Sequence, residues 1–103
     1  MILTTTPAVE GRPVKTYLGV VAGDAILAWG SWNDVLESLR TLGSTRSPAV
    51  ERALSEARET ALRQLGERAL GLGANAVVGI SIDFEHTPHG VMVMATGTAA
   101  VVP

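Results

Sequence analysis

Cysteine is absent from the 103-residue chain. Its absence excludes disulfide frameworks, thiolate metal sites and cysteine nucleophiles. Aromatic residues make up only 4% of the chain and charged residues 17%. The formal net charge is −2, and the 8 basic residues are scattered rather than clustered. This charge pattern argues against an electrostatic nucleic-acid binder.

Long apolar runs are also missing. The longest tract, Leu18 to Trp29, is interrupted by Asp24 and by two glycines. It falls short of the roughly 20 residues that a membrane-spanning helix needs. The first seven residues have no basic region followed by an apolar stretch, as a secretory signal would. We therefore expect no membrane partner and a cytoplasmic location.

What is present is a high content of small apolar residues. Hydrophobic residues make up 47% of the chain, which also contains 14 Ala and 11 Gly. This balance excludes intrinsic disorder and predicts a single domain over residues 1–103. Because small side chains bury little area each, we expect the domain to hide part of its surface against copies of itself. The excess of Arg over Lys, with the many Ala, indicates a bacterial source.

The first part of the chain favours extended structure. Pro7 and Pro13 flank a predicted turn at Glu10-Gly11. From Val14 to Ala28, β-branched and aromatic residues predict a strand. One face of this strand is expected to carry Val14, Thr16, Leu18, Val20 and Ala22. Gly23-Asp24 is interpreted either as a turn that divides the strand or as a bulge within it.

Two helices are predicted next. Ser31 is a favoured N-cap, and an apolar stripe from Trp32 to Leu42 predicts a first helix that Gly43 ends. Ser47-Pro48 then supplies a cap and a favoured first residue for a second, long helix. Gly71-Leu72-Gly73 ends this helix. Its predicted apolar stripe consists of Val50, Leu54, Ala57, Ala61, Leu65, Ala69 and Leu72.

The chain ends in a predicted hairpin with a turn at residues 87–90. The period changes to two after Asn75, which predicts one face with Val78, Ile80, Ile82 and Phe84 and another with Gly79, Ser81, Asp83 and Glu85. The strand Val91–Val102 is apolar on both faces, so we expect another subunit to cover its second face. The order of elements predicts an α+β fold, with helices on one face of a mainly antiparallel sheet.

Several stretches of the chain resemble one known family. They are Thr5-Thr6-Pro7, Glu10-Gly11, Tyr17 to Gly23, Arg46-Ser47, Ala57-Arg58-Glu59, Leu72 to Ile80 and Gly97-Thr98-Ala99. In this order they are similar to the YbjQ-like family, an uncharacterised family labelled for heavy-metal binding. The resemblance implies a β-α-β-β, dodecin-like subunit with an antiparallel sheet under a long helix. It also implies a closed ring of five subunits, a homopentamer.

One cluster has the residue types of a metal site. Asp83, Glu85, His86 and His89 lie close together in sequence at the predicted hairpin turn. Imidazole nitrogens with a carboxylate suit zinc, copper or nickel. The alternative interpretation is a solvated hairpin, because spacing alone supplies neither ligand count nor geometry.

Three further candidates are weighed against structural roles. Met92 and Met94, with Met1, have the thioethers of a copper(I) site, but methionine on a buried strand more often fills the core. Arg46 precedes a helix N-terminus, where it suits an anion. Its alternative, which we favour, is an ion pair with Glu10 or Asp24 of a neighbouring subunit.

Trp29 and Trp32 suit a stacking platform for a flat ligand, although Trp32 also fits the stripe of the first helix. No nucleophile elbow or phosphate loop is found, since Gly71-Leu72-Gly73 closes a helix instead of opening one. We expect a binding protein rather than an enzyme, and the sequence assigns no cofactor. The alternative is a homo-oligomeric storage module that holds a small flat ligand at subunit junctions without metal.

Overall fold

The computed structural model describes residues 1–28, 48–87 and 90–103. In chain order the elements are β1 (Ile2–Leu3), β2 (Thr16–Ala28), α1 (Pro48–Gly71), β3 (Ala76–Thr87) and β4 (Gly90–Val101). The predicted first helix, from Ser31 to Leu42, lies outside the described residues. Between Val9 and Arg12, a backbone bridge encloses the predicted turn at Glu10-Gly11.

The strands form one four-stranded sheet in the order β1-β3-β4-β2. Strand β4 is antiparallel to both of its long neighbours, and the short β1 runs parallel to β3. Helix α1 packs across one face of this sheet, mainly over β2 and β4. The predicted α+β fold with a long helix on a mainly antiparallel sheet is confirmed. The parallel pairing of β1 with β3 makes the sheet mixed. The four described strands do not close into a barrel.

The long helix begins and ends where the sequence predicts. Its C-terminus is closed by two hydrogen bonds, from Gly73 N to Leu70 O at 2.9 Å and from Ala74 N to Ala69 O at 3.1 Å. This pair defines a Schellman motif, which needs a left-handed residue, and Gly73 has a φ of 90°. The sharp stop turns the chain back toward the sheet, where β3 begins two residues after Ala74.

The apolar stripe of α1 forms the helical half of the core. Its buried members are Ala57, Ala61, Leu65 and Ala69, as predicted. The periodicity predicts that Leu72 continues the stripe, but Leu72 is 51% exposed because it lies beyond the last helical residue. The loop after the helix adds Ala74, and the sheet contributes the rest of the buried cluster: Val21, Val77, Ile80, Val93, Ala95 and Ala99. Small residues on both sides bring the helix close to the sheet.

Strand β2 departs from its predicted alternation. Its register with β4 shifts between Tyr17 and Gly19, so Leu18 is an extra residue in the ladder. Leu18 packs against the core, whereas Val20 is 80% exposed on the opposite face. The prediction that these two share a face is therefore wrong, because the bulge moves the face by one residue.

The strand continues without a break through Gly23-Asp24, so neither the turn nor the bulge considered there forms. A Cβ on Gly23 would overlap the backbone carbonyl of Ala61. Glycine at this position therefore permits the close approach of the helix.

A second bulge changes the alternation of β3. The register with β4 shifts between Val78 and Ser81, and Gly79 takes a φ of 62°. Val78 pairs with Thr98, on the face away from the helix, whereas Ile82 pairs with Ala95 on the helix side. The prediction that Val78 shares a face with Ile82 is wrong for the same reason as in β2.

Candidate functional site

The sheet has one face that α1 does not cover, which we call the open face. Directly opposite residues of paired strands point to the same side of the sheet, so the register defines this face. Across β2, β4 and β3 its rows are Val20–Thr98–Val78, Ala22–Thr96–Ser81, Asp24–Met94–Asp83 and Ile26–Met92–Glu85. The open face therefore combines apolar side chains with three carboxylates at one end.

Large apolar side chains on the β2 part of the open face are poorly buried. Tyr17 is 65% exposed, Val20 80% and Ile26 65%. Met92 and Met94 on the neighbouring strand are half-buried. A strip of apolar groups thus follows β2 and β4 on the side opposite the core, the second apolar face that the sequence predicts for the last strand.

The structure separates the residues of the predicted metal cluster. Asp83 and Glu85 lie on the open face, whereas His86 pairs with Val91 and so points to the opposite side. His89 lies outside the described residues. Within residues 1–28, 48–87 and 90–103, no group of three or more His, Asp or Glu side chains could hold a metal ion. The described residues therefore do not fit the metal site that the family label implies.

The three methionines are not brought together either. Met92 and Met94 share the open face, as their spacing predicts, beside Glu85 and Asp83. Met1 precedes β1, which pairs with the other end of β3 at Ala76. The core role preferred for Met92 and Met94 is wrong within this chain, because both lie on the face away from the helix. Arg46, Trp29 and Trp32 lie outside the described residues.

Two grooves border the N-terminal half of α1. One, of about 400 Å³, lies between the helix and the end of β2, with Leu27, Ala53 and Thr60 in its wall. The other, of about 330 Å³, lies beside Phe84 and contains Leu54 and Arg58. The wall of the second groove also includes Glu51 and Ser55, and Arg58 Nη2 donates to Ser55 Oγ at 3.4 Å.

Asn75, in the stretch that resembles the YbjQ-like family most specifically, has a structural role that spacing did not reveal. Its side-chain amide donates to Val102 O at 2.7 Å, and its side-chain oxygen accepts from Val102 N at 2.8 Å. Its backbone accepts from Ile2 N at 3.0 Å and donates to Ala100 O at 3.1 Å. One residue thereby joins the N-terminal segment to the C-terminal segment, a role that no feature of the sequence predicted.

The threonine segment of the same resemblance surrounds the bulge of β3. Thr6 O accepts from Gly79 N at 2.8 Å, and Thr4 O accepts from Ile80 N at 3.1 Å. The hydroxyl oxygens of Thr4 and Thr6 are 2.7 Å apart, and Thr6 Oγ1 donates to Ala8 O at 2.6 Å. These hydroxyls are engaged with the chain itself, so the segment stabilises the sheet edge.

Comparison with known proteins identifies a family and a solved structure that are similar to this chain. A family model described as "YbjQ_1: Putative heavy-metal-binding" matches residues 1–103. A crystal structure from Pediococcus pentosaceus, of a protein with unknown function that belongs to the DUF74 family, aligns with a TM-score of 0.59 at 15% identity. The alignment covers 100% of this chain and 98% of that one, and at this identity it shows the fold alone. The match over the whole chain shows that this protein belongs to the YbjQ family.

Proposed function

We propose that this chain is a non-catalytic subunit of a cytoplasmic homo-oligomer, a ring of five in a bacterial cell, that assembles through its open sheet face. The observation that carries the proposal is the exposure of Tyr17, Val20 and Ile26 along one strand of that face. Side chains of this size in a row favour association, because covering them removes apolar surface from water. The number five is what the resemblance to the YbjQ-like family implies.

The distribution of charge favours a second copy of the chain as the partner. Arg12 and Lys15 lie at the end of the sheet where β2 begins, and Glu10 offsets one of these charges. Asp24, with two further carboxylates on β3, lies about 23 Å from Thr16 along the sheet, because the partner strand takes seven steps of about 3.3 Å from Val101 to Met94. A head-to-tail arrangement would bring the basic end of one copy to the acidic end of the next. Heterologous contacts of this kind form a ring when the rotation between successive copies closes.

Binding rather than catalysis fits the described residues. The titratable side chains of the open face, Asp24, Asp83 and Glu85, lie on an exposed surface and not in a pocket. A metal ion would require ligands from beyond the described residues, such as His89, or from a second copy. The described part of the chain contains no helical segment that could span a bilayer.

The mass of the untagged protein in solution tests the proposal. Light scattering should give a fixed multiple of the 10.7 kDa chain, five in the proposed ring. The double variant Val20→Lys/Ile26→Lys should lower that mass toward the single chain, because it places two charges in the proposed interface. A folded double variant with the wild-type mass would overturn the open face as the interface, and a monomeric wild type would overturn the assembly.

Leu70→Lys is the matched control. Leu70 is 67% exposed, close to the 65% of Ile26, but it lies on the last turns of α1. We expect this control to retain the wild-type mass. Loss of assembly in the control as well would mean that added charge, and not the open face, causes the effect. Elemental analysis of the same untagged preparation would show whether metal accompanies the assembly.

A further inference from the structure

The outer edge of β2 is occupied by two side chains of the helix. Among residues 1–28, 48–87 and 90–103, strand β2 is last in the sheet and its one strand partner is β4. Asp24 N donates to Gln64 Oε1 at 3.1 Å, and Arg68 Nη1 donates to Ala22 O at 2.6 Å. Because alternate residues of a strand direct both backbone groups to the same edge, these two groups lie on the edge away from β4.

Gln64 and Arg68 reproduce the hydrogen bonds of a single strand residue. In a parallel pair, a residue of the partner strand faces one residue of the first strand. Its N–H donates to the carbonyl of the residue before that one, and its carbonyl accepts from the N–H of the residue after it. Arg68 supplies that donor and Gln64 that acceptor, on either side of Gly23. The two helical side chains therefore fill the position that one residue of an added parallel strand would take.

The close approach of the helix makes this arrangement possible. With no side chain on Gly23, the backbone of α1 at Ala61 comes into contact with β2. Residues four apart lie on the same face of a helix, so Gln64 and Arg68 both reach the strand edge one turn further along. The glycine in the strand and the two polar residues in the helix therefore act together.

From this geometry we infer that Gln64 and Arg68 block a strand-docking site on β2 and keep the strand of a second copy from adding there. Strand β2 is 13 residues long and carries the exposed apolar residues Val20 and Ile26 on either side of the blocked segment. A long apolar edge is a template for open-ended strand addition. The inference concerns the edge of the sheet and does not depend on the open-face proposal.

The double variant Gln64→Ala/Arg68→Ala tests the inference. Light scattering should show mass that exceeds the wild-type assembly and grows with protein concentration. The amide of Asp24 should exchange with solvent roughly five- to tenfold faster, the change that loss of one net hydrogen bond gives. Since both readouts are taken relative to the wild type, they apply whether the wild type is a monomer or a ring. A folded variant that keeps the wild-type mass at every concentration would overturn the inference.

Two further variants separate the edge contact from general effects. Arg63→Ala removes the same charge from an exposed position of the same helix and should behave as the wild type. Gln64→Glu/Arg68→Lys keeps an acceptor and a donor and should also keep the wild-type mass. Where the alanine pair fails to fold, Gln64→Ala and Arg68→Ala made singly repeat the test, because each frees one backbone group of the β2 edge and should also raise the mass. Growth of large species in either control variant would contradict the inference.

Discussion

Gly23 faces the carbonyl of Ala61 with no room for a side chain between strand and helix, and a Cβ there would also lie 2.7 Å from the amide nitrogen of Leu65. Neither backbone contact can be relieved by a rotamer change. Gly23→Ala should therefore destabilise the fold by about 1–3 kcal/mol, as overpacking typically does. Urea denaturation measures the change.

Gly71→Ala is the control for this prediction. Gly71 is the last residue of α1, and nothing lies within 4 Å of a Cβ built there. Alanine at this helical position should be neutral or slightly stabilising. Equal losses of stability in the two variants would contradict the close contact at Gly23.

Substitution of Asn75 should reduce the stability of the fold more than its position on the surface indicates. Asn75→Ala removes both hydrogen bonds to Val102, and we expect a loss of about 1–3 kcal/mol. Asn75→Asp keeps the acceptor for Val102 N but loses the donor to Val102 O, so it should lie between the wild type and alanine. Thermal unfolding followed by circular dichroism would rank the three, and an alanine variant as stable as the wild type would disprove the role.

The backbone conformation of Gly79 predicts that this position tolerates some substitutions better than others. Its φ of 62° lies in the left-handed region, and nothing lies within 4 Å of a Cβ built there. Asparagine adopts this conformation more readily than other side chains, whereas β-branched residues resist it. Gly79→Asn should cost less than about 1 kcal/mol and Gly79→Val more than that. The same cost in both variants, measured by chemical denaturation, would show that backbone strain does not decide this position.

The head-to-tail arrangement predicts a charge-reversal rescue. Lys15→Glu should weaken the assembly, because it places like charges at the proposed contact between copies. Adding Asp24→Lys places a lysine opposite the new glutamate, so opposite charges again meet between copies. The assembly of the double variant should therefore regain the wild-type mass. Sedimentation velocity at low ionic strength is the suitable measurement, since salt screens exposed charges. A double variant weaker than Lys15→Glu alone would exclude this pairing of ends.

The dispersal of carboxylates and imidazole predicts weak metal binding. His86 and the two acidic residues Asp83 and Glu85 point to opposite sides of the sheet. We therefore expect calorimetric titrations with zinc, copper and nickel to give dissociation constants of about 1 mM or weaker. His86→Ala/His89→Ala should leave these titrations unchanged. Micromolar affinity that this variant abolishes would instead establish a site at the hairpin.

Regular features of the fold could be predicted from local sequence signals. The long helix begins at Pro48, as its preference for the first helical position predicts, and Gly73 closes the other end, both through chemistry that acts within a few residues. The positions of the bulges in β2 and β3 could not be predicted, because a bulge depends on the partner strand. Leu18 therefore does not share a face with Val20, and Val78 does not share one with Ile82, although simple alternation predicts both.

The prediction of the candidate sites depends even more strongly on which face of the sheet each side chain occupies. Asp83, Glu85 and His86 are neighbours in sequence, but alternation along a strand turns His86 away from the carboxylates. The edge contacts of Gln64 and Arg68 join residues that are 40 and 46 positions from their partners. No local pattern encodes such contacts, which follow only once Gly23 has brought the helix onto the strand.

The strand order β1-β3-β4-β2 also determines when the sheet can form during synthesis. Both long strands that precede β4 in the chain use it as their antiparallel partner. Until the ribosome has released residues 90–101, β2 and β3 have no such partner, and their apolar side chains remain uncovered by the sheet. Helix α1 is the element that can cover β2 before β4 has been made. This topology therefore exposes the nascent chain to aggregation during synthesis.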